Sequence, residues 1–361
     1  MSDRQPSPYL GLPDTSWWKR AVSGRPPEAI DPHIPSDLAI GPTDKVASAG
    51  SCFAQRISQA LQSAGYGYLV TEAGPPFLSG DQRLQEGYGV YSARYGNVYS
   101  SLQLLQLFQR AFETFHPCEP VWGGPDGSFV DPFRPAAQPG GFSSEQECLW
   151  DRTAHLAAVR QMFMELDVFI FTLGLTETWL CAADGAALPV CPGSGVGGSF
   201  DAQRYKRHNF NVSEVVQHMS EFIELLAKVN PGARLILTVS PVPLIATFEP
   251  RHVLQATTYS KSVLRVASEE LVRRFSNVHY FASYEIVTAS GDSKSYFHED
   301  RRSVAEPAVD HVIQCFKQQF MRETPAHIRE QAAHPPAASA PLCDEDLILK
   351  ALAEKQAEGH R

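Results

Sequence analysis

The 361-residue chain is long enough for one large α/β domain or two small ones, and at 43% hydrophobic residues it can bury a sizeable core. Its net charge of −9, with no basic run, argues against binding nucleic acid or an anionic membrane through bulk charge, and no apolar segment is long enough to span a bilayer. The seven cysteines, at positions 52, 118, 148, 181, 191, 315 and 343, include no CxxC pair, and the first residues lack an apolar signal region; both features lead to the expectation of reduced thiols in a cytoplasmic protein, neither a disulfide framework nor a zinc site.

Residues 1–39 form an arm rich in proline and polar residues, which Trp17 and Trp18 are expected to pin to the body. Residues 46–49 have the character of a short buried strand and Gly50 that of a turn. The apolar spacing of Phe53, Ile57, Ala60, Leu61 and Ala64 then predicts a helix ended by Gly65. Ser51 and Cys52 stand at its N-terminus, where unpaired N–H groups and partial positive charge lower the pKa of a thiol and favour a nucleophile. For Ser51 a plain N-cap is the alternative. Residues 66–71 are expected to be a second strand. Apolar positions 98, 102, 105, 108 and 112 predict a helix from near Ser100, and Gly96 and Asn97 just before it suit either a capping turn or an oxyanion. Residues 123–127 make a turn between two short strands. Arg134, in Asp131-Pro-Phe-Arg-Pro135, is either a contact for an acidic substrate group or a structural clamp.

A helix over 145–166 leads into residues 167–173, a continuous apolar run expected to be a central parallel strand covered on both faces. Gly174, Thr176 and Glu177 follow at its carboxyl end, where open α/β sheets place their ligands. The Thr176 hydroxyl can donate; Glu177, acceptor-only when ionised, is suited to orienting a partner or binding substrate. Trp179 is expected in the core, and glycine-rich residues 184–200 as a loop over the site; no Gly-Lys-Ser/Thr follows, so this is not a phosphate loop. Asn211 and Glu214 form a capping box for the next helix. Residues 235–240 and 278–281 supply two further strands, with a helix between them that carries Lys261, expected to be solvated rather than an anion ligand. A last helix spans 308–320, and residues 323–361 have the composition of a Pro/Ala linker with a short tail. The alternation of strands and helices gives a parallel sheet with helices on both faces. With no nucleotide glycine fingerprint and no metal-ligand cluster, neither a cofactor nor a metal is expected.

Gly50-Ser51-Cys52-Phe53-Ala54 reproduces the signature of the GSCFA family, a bacterial branch that resembles the SGNH/GDSL hydrolases. The likeness extends over residues 40–322 through Tyr95-Gly96-Asn97, Asp131-Pro-Phe-Arg-Pro135, Thr238-Val-Ser-Pro-Val-Pro243 and Ser283-Tyr-Glu-Ile-Val287. It implies a three-layer α/β/α sandwich with a mostly parallel sheet, SGNH-hydrolase-like and flavodoxin-like. It also implies an esterase or acyltransferase that forms a covalent acyl-enzyme. Cys52 takes the place of the superfamily serine, and Ser51 that of the aspartate before it. Gly96, Asn97, Gly174 and Thr176, with Glu177, would hold the oxyanion or substrate, which would be a small molecule or a glycan- or peptide-linked acyl group. Asp300 matches the aspartate of an Asp-x-x-His block that carries the base, but Ser303 stands where histidine is expected. His298 is the nearest substitute in sequence, with His252 and His208 as others. A non-catalytic ligand-binding protein that keeps the pocket is the alternative.

Overall fold

The computed structural model describes residues 7–33, 36–51, 53–289 and 296–321. Its central sheet is built from β1 (Val46–Gly50), β4 (Val168–Leu173), β8 (Arg234–Val239) and β9 (Val278–Phe281), all parallel and adjacent in that order. These strands are apolar on both faces because both faces are covered. Phe169, Phe171, Leu173, Leu235 and Leu237 point into one apolar cluster, and Val168, Ile170 and Ile236 into the other, following the two-residue alternation of a strand.

The first cluster is closed by α3 (Ser101–Ala111), α4 (Glu145–Glu165), α5 (Val212–Val229) and α6 (Val253–Arg274); the second by α1 (Ala54–Ser63), α7 (Ser283–Thr288) and α8 (Glu306–Phe320). Two capping boxes fix helix starts where the sequence places them: Ser100 with Gln103 before α3, and Asn211 with Glu214 before α5. The result is an α/β/α sandwich. No helix among the described residues is long and apolar enough to cross a membrane.

Several elements differ from expectation. Residues 66–71 do not form a strand. Tyr68 makes one parallel bridge to Val46, on the side of β1 away from β4, through the Gly67 carbonyl and the Leu69 N–H. Counting that bridge, the order across the sheet is second segment, first, third, fourth, fifth, the flavodoxin-like arrangement. Residues 184–200, expected as a loop, are irregular apart from the two-residue β6 (Ala187–Leu188); the elements on either side of them, β5 (Glu177–Cys181) and β7 (Tyr205–Asn209), were not expected, and β5 pairs antiparallel with both β6 and β7 around a third apolar cluster. That cluster also takes in Trp122 and Val130, from the short pair β2 (Trp122–Gly123) and β3 (Phe129–Val130) that flanks the expected turn. Trp179 is only half-buried, edge-on to Phe200 and Phe248. Trp17 and Trp18 do not anchor the arm; they are 38% and 69% exposed. The arm attaches further on, through buried Leu38 and Ile40, the Ile40 N–H to the Phe320 carbonyl, and Ser36 to His279. The Pro/Ala linker and tail lie outside the described residues.

At the end of β1 the chain passes so close to β4 that a side chain has no room. A Cβ on Gly50 would lie 2.5 Å from the Thr172 carbonyl oxygen, and Gly50 has φ of 145°, a conformation that favours glycine. Gly50→Ala is therefore expected to cost ~1–3 kcal/mol through backbone strain alone, more with the clash, as a lowered melting temperature. Melting within ~0.5 kcal/mol of the parent would contradict the close approach.

Candidate functional site

The end of β1 sets the site. The Ser51 N–H reaches the Thr172 carbonyl at 3.4 Å, and the Ser51 carbonyl accepts from the Ala54 N–H at 2.8 Å, so the backbone turns directly from strand into α1. Phe53 holds the N-cap position and makes no side-chain cap. Ser51 thus lies before the cap, and its hydroxyl is not the capping group. Ser51 is 4% exposed, and its Oγ is buried without a hydrogen-bond partner among the described residues, as is the Oγ1 of neighbouring Thr172. A buried hydroxyl left unpaired costs about 1–3 kcal/mol, which the surrounding packing must offset. Cys52, the expected nucleophile, lies outside the described residues.

Ser51 opens onto a narrow cleft at the carboxyl ends of β1, β4 and β8. It encloses about 280 Å³ of atom-free space, mouth included, between Tyr99, Gly174, Leu175, Ser240, Val242, Pro243 and Leu244. Gly174 is the one expected oxyanion residue on this wall. Its N–H donates to the Tyr99 carbonyl at 2.9 Å, and its carbonyl accepts from Lys261 Nζ at 2.6 Å. Lys261 is not solvated as expected; it is 2% exposed on α6 and its Nζ reaches this strand end. Ser260, one residue earlier, accepts the Thr176 N–H at 3.0 Å. The Thr176 hydroxyl donates to Asn209 Oδ1 at 2.6 Å, and so holds β7 rather than facing the cleft. Glu177 accepts from the Thr247 hydroxyl at 2.6 Å and the Phe248 N–H at 3.1 Å, and orients the segment after β8; burial raises its pKa against those two hydrogen bonds. Ser240 also lines the cleft. Its Oγ accepts the Val242 N–H at 3.3 Å, and as a hydroxyl it has a proton to give.

The Gly96–Asn97 segment does not line this cleft, but it is tied to the turn by a residue that sequence reasoning passed over. The hydroxyl of buried Tyr91 lies 3.0 Å from the Ser51 carbonyl, 3.3 Å from that of Gly50 and 2.9 Å from Asn97 Oδ1, and accepts from Gln55 Nε2 at 3.3 Å. One phenolic proton serves three acceptors, so it binds the turn and the Asn97 loop into one unit. The Val98 N–H to the Gly50 carbonyl, at 2.9 Å, closes the same junction.

The Asp-x-x-Ser block forms a tight exposed turn. Phe297 bridges Val304, the His298 N–H donates to the Ser303 carbonyl at 2.9 Å, and Arg301 takes φ of 56°. Asp300 Oδ2 accepts the Ser303 hydroxyl at 2.5 Å, and Oδ1 accepts the Arg302 and Ser303 N–H groups. The Ser303 hydroxyl and these N–H groups hold the Asp300 carboxyl down at about 2. So Ser303 engages the carboxylate that would orient a histidine. His298 is exposed and shares no side-chain hydrogen bond with Asp300 or Ser51, against the role expected for it. The turn still touches the cleft, because Arg302 Nε donates to the carbonyl of Pro243 on its rim at 3.2 Å. His208 pairs with Glu214 at 2.7 Å, and His252 accepts the Leu254 N–H at the start of α6. No histidine among the described residues lines the cleft, and no group of three or more His, Cys, Asp or Glu there could hold a metal ion.

Arg134 is a clamp. It donates to Asp131 at 2.9 Å and to Asp151 at 2.5 Å; Arg152 also reaches Asp131, and Arg94 reaches Asp151, the Ala137 carbonyl and Gln138. Beside them Glu72 accepts from the Arg94 N–H and from His155 Nδ1, both at 2.7 Å. Burial works to raise the Glu72 pKa, but the His155 hydrogen bond overrides it and brings it to about 2; burial, with Arg134 nearby, lowers that of His155.

The GSCFA family profile matches residues 45–316. The chain belongs to the GSCFA family. No curated protein sequence matches it. Among solved structures it is similar to a carbohydrate esterase family 2 enzyme plus carbohydrate-binding domain from Corynascus thermopiles (Myceliophthora fergusii), at 14% identity and a TM-score of 0.29, over 79% of this chain and 68% of that one. In this GSCFA protein the signature glycine is the residue at the tight crossing of β1 and β4, and the signature serine is the orphaned hydroxyl of the cleft.

Two outcomes follow. Tyr91→Phe leaves buried carbonyls and Asn97 without their shared donor, and is expected to lower stability by about 1–3 kcal/mol in chemical denaturation; a loss under ~0.5 kcal/mol would show the junction does not depend on it. Acid should weaken the fold in two stages. The folded-state pKa values of His155 and His218 are depressed, the latter by burial to about 4, so stability falls as the pH drops below their ordinary value near 6.5. Glu72, also depressed, adds a loss between about 4.5 and 2. Glu177, with its raised pKa, works in the opposite sense above about 4.5, between its ordinary value and its raised one. Melting temperatures measured from pH 7 to pH 3 should decline throughout; a flat profile would contradict ionised Glu72 and neutral histidines in the folded state.

Proposed function

We propose that this GSCFA protein is an esterase or acyltransferase whose nucleophile comes from the Gly50-Ser51-Cys52 turn. The observation that carries the proposal is Ser51, which lines a cleft at the carboxyl end of a parallel sheet and whose buried hydroxyl has no partner among the described residues. In the proposed reaction Sγ of Cys52, or Oγ of Ser51, forms a bond to the acyl carbonyl carbon, and the alcohol departs with a proton. Water, or a second alcohol, then attacks the acyl-enzyme and frees the nucleophile. Ser240 is the side chain best placed to donate to the developing oxyanion, since the Gly174 N–H and the Thr176 hydroxyl are already engaged. Cysteine suits a site with no histidine among the described residues of its walls, because a thiol at a helix N-terminus reaches an appreciable thiolate fraction without a dedicated base.

A second reading, a ligand-binding protein without turnover, is favoured by the bond between Ser303 and Asp300, which occupies the place of the orienting aspartate. Hydrolysis of p-nitrophenyl acetate separates the two. Cys52→Ala should lower turnover by at least about 10²-fold, while Ser51→Ala leaves part of it. Full activity in Cys52→Ala removes Cys52 from the mechanism; a well-folded parent protein with no turnover above buffer supports the binding reading. Iodoacetamide labelling checks the thiol independently. Burial pushes Cys148 and Cys191 up to about 11, Cys315 to about 12 and Cys181 higher still, so in a Cys118→Ser/Cys343→Ser background fast alkylation near neutral pH should map to Cys52.

A further inference from the structure

A second recess lies on the other side of the Asn97 segment, between α3, the Arg134 clamp and α4. It encloses about 400 Å³ of atom-free space, mouth included, and is narrow throughout. Most polar groups on its wall are engaged. Gln103 Oε1 accepts the Tyr99 and Ser100 N–H groups; Gln106 donates to the Gly185 carbonyl and accepts from Ala187; His155 is bonded to Glu72. Two guanidinium groups are not. Arg134 is 3% exposed, and while its Nε and Nη2 hold Asp131 and Asp151, its Nη1 is buried without a partner. Arg110 is 8% exposed and its guanidinium makes no hydrogen bond among the described residues; it lies 3.9 Å from the Phe133 ring centre.

We infer that this recess is a binding site for a small carboxylate, held by Arg110 and by Nη1 of Arg134. The pocket wall carries one buried, unpaired donor, Nη1 of Arg134, beside the Arg110 guanidinium, and the nearest acids are shared out. Asp131 serves Arg134, Arg152 and the Phe133 N–H, and Asp151 serves Arg94 and Arg134. A guanidinium without a partner carboxylate in a dry site is costly. Burial depresses the Arg110 pKa to about 10 despite the pull of Asp131, whereas Arg134, which has its carboxylates, is shifted upward against the same burial. A planar two-oxygen anion matches the donor fork of arginine and is smaller than a tetrahedral phosphate. The site does not depend on the acyl chemistry proposed for the Ser51 cleft, and binding is measured without turnover.

The test titrates the full chain with sodium acetate, sodium chloride and sodium phosphate at matched ionic strength, following melting temperature and heat of binding. Acetate should bind saturably with a dissociation constant on the order of 1 mM, the strength open to a ligand of four heavy atoms. Chloride and phosphate should bind at least severalfold more weakly. Arg110→Met, which leaves the Arg134 clamp intact, should keep its circular dichroism spectrum and lose acetate affinity about tenfold or more. If it does not fold, Arg110→Lys decides, with a severalfold loss expected from replacing the planar fork by a point charge. No saturable acetate binding, equal responses to the three anions, or undiminished affinity in the folded Arg110 variant overturns the assignment.

Discussion

The site depends on how closely β1 runs past β4 at Gly50. A side chain on Gly50 would clash with the Thr172 carbonyl, so glycine is strongly favoured where the strand turns into α1. That contact places Ser51 at the sheet's carboxyl edge. The Tyr91 hydroxyl and the Val98 N–H then tie the turn to the Asn97 loop, and Lys261 holds Gly174 across the cleft. Each tie joins a different element to the strand ends, so the geometry at Ser51 is a property of the whole sandwich rather than of one loop.

Much of this was legible in the sequence because it is local. The apolar runs at 167–173 and 235–240 announce strands covered on both faces, and the apolar spacing from position 98 and the Asn211 capping box announce helix starts. Glycine followed by small polar residues announces the turn. What was not legible depends on distant partners. Residues 66–71 have strand composition, yet only Tyr68 finds a neighbour along β1, at its far edge. The Tyr205–Asn209 strand is polar and charged and becomes a strand only by pairing with β5, which shows on its own as the tail of a site loop. Lys261 carries an ordinary surface charge until the fold brings the Gly174 carbonyl to it. Tyr91 lies in a stretch of tyrosines and glycines with no periodicity to mark it.

The departure at the Asp-x-x-Ser block has a physical reading. A serine three residues after Asp300 donates its hydroxyl to the carboxylate that would otherwise orient an imidazole, and the turn closes on itself with His298 outside. The cleft keeps an unpartnered hydroxyl and a proton donor, Ser240, yet has no imidazole among its described walls. A thiol is the nucleophile least affected by that lack, which makes the signature Cys52 the residue on which the acyl-transfer account turns.

The most direct measurement is peptide mapping by mass spectrometry after brief exposure of the native chain to a slowly deacylating aryl ester. The account requires a single acyl group on the peptide that contains Gly50-Ser51-Cys52, borne by Cys52 and absent after denaturation before exposure. An unmodified turn peptide under conditions where the ester is consumed, or acyl groups spread over surface lysines alone, would contradict it.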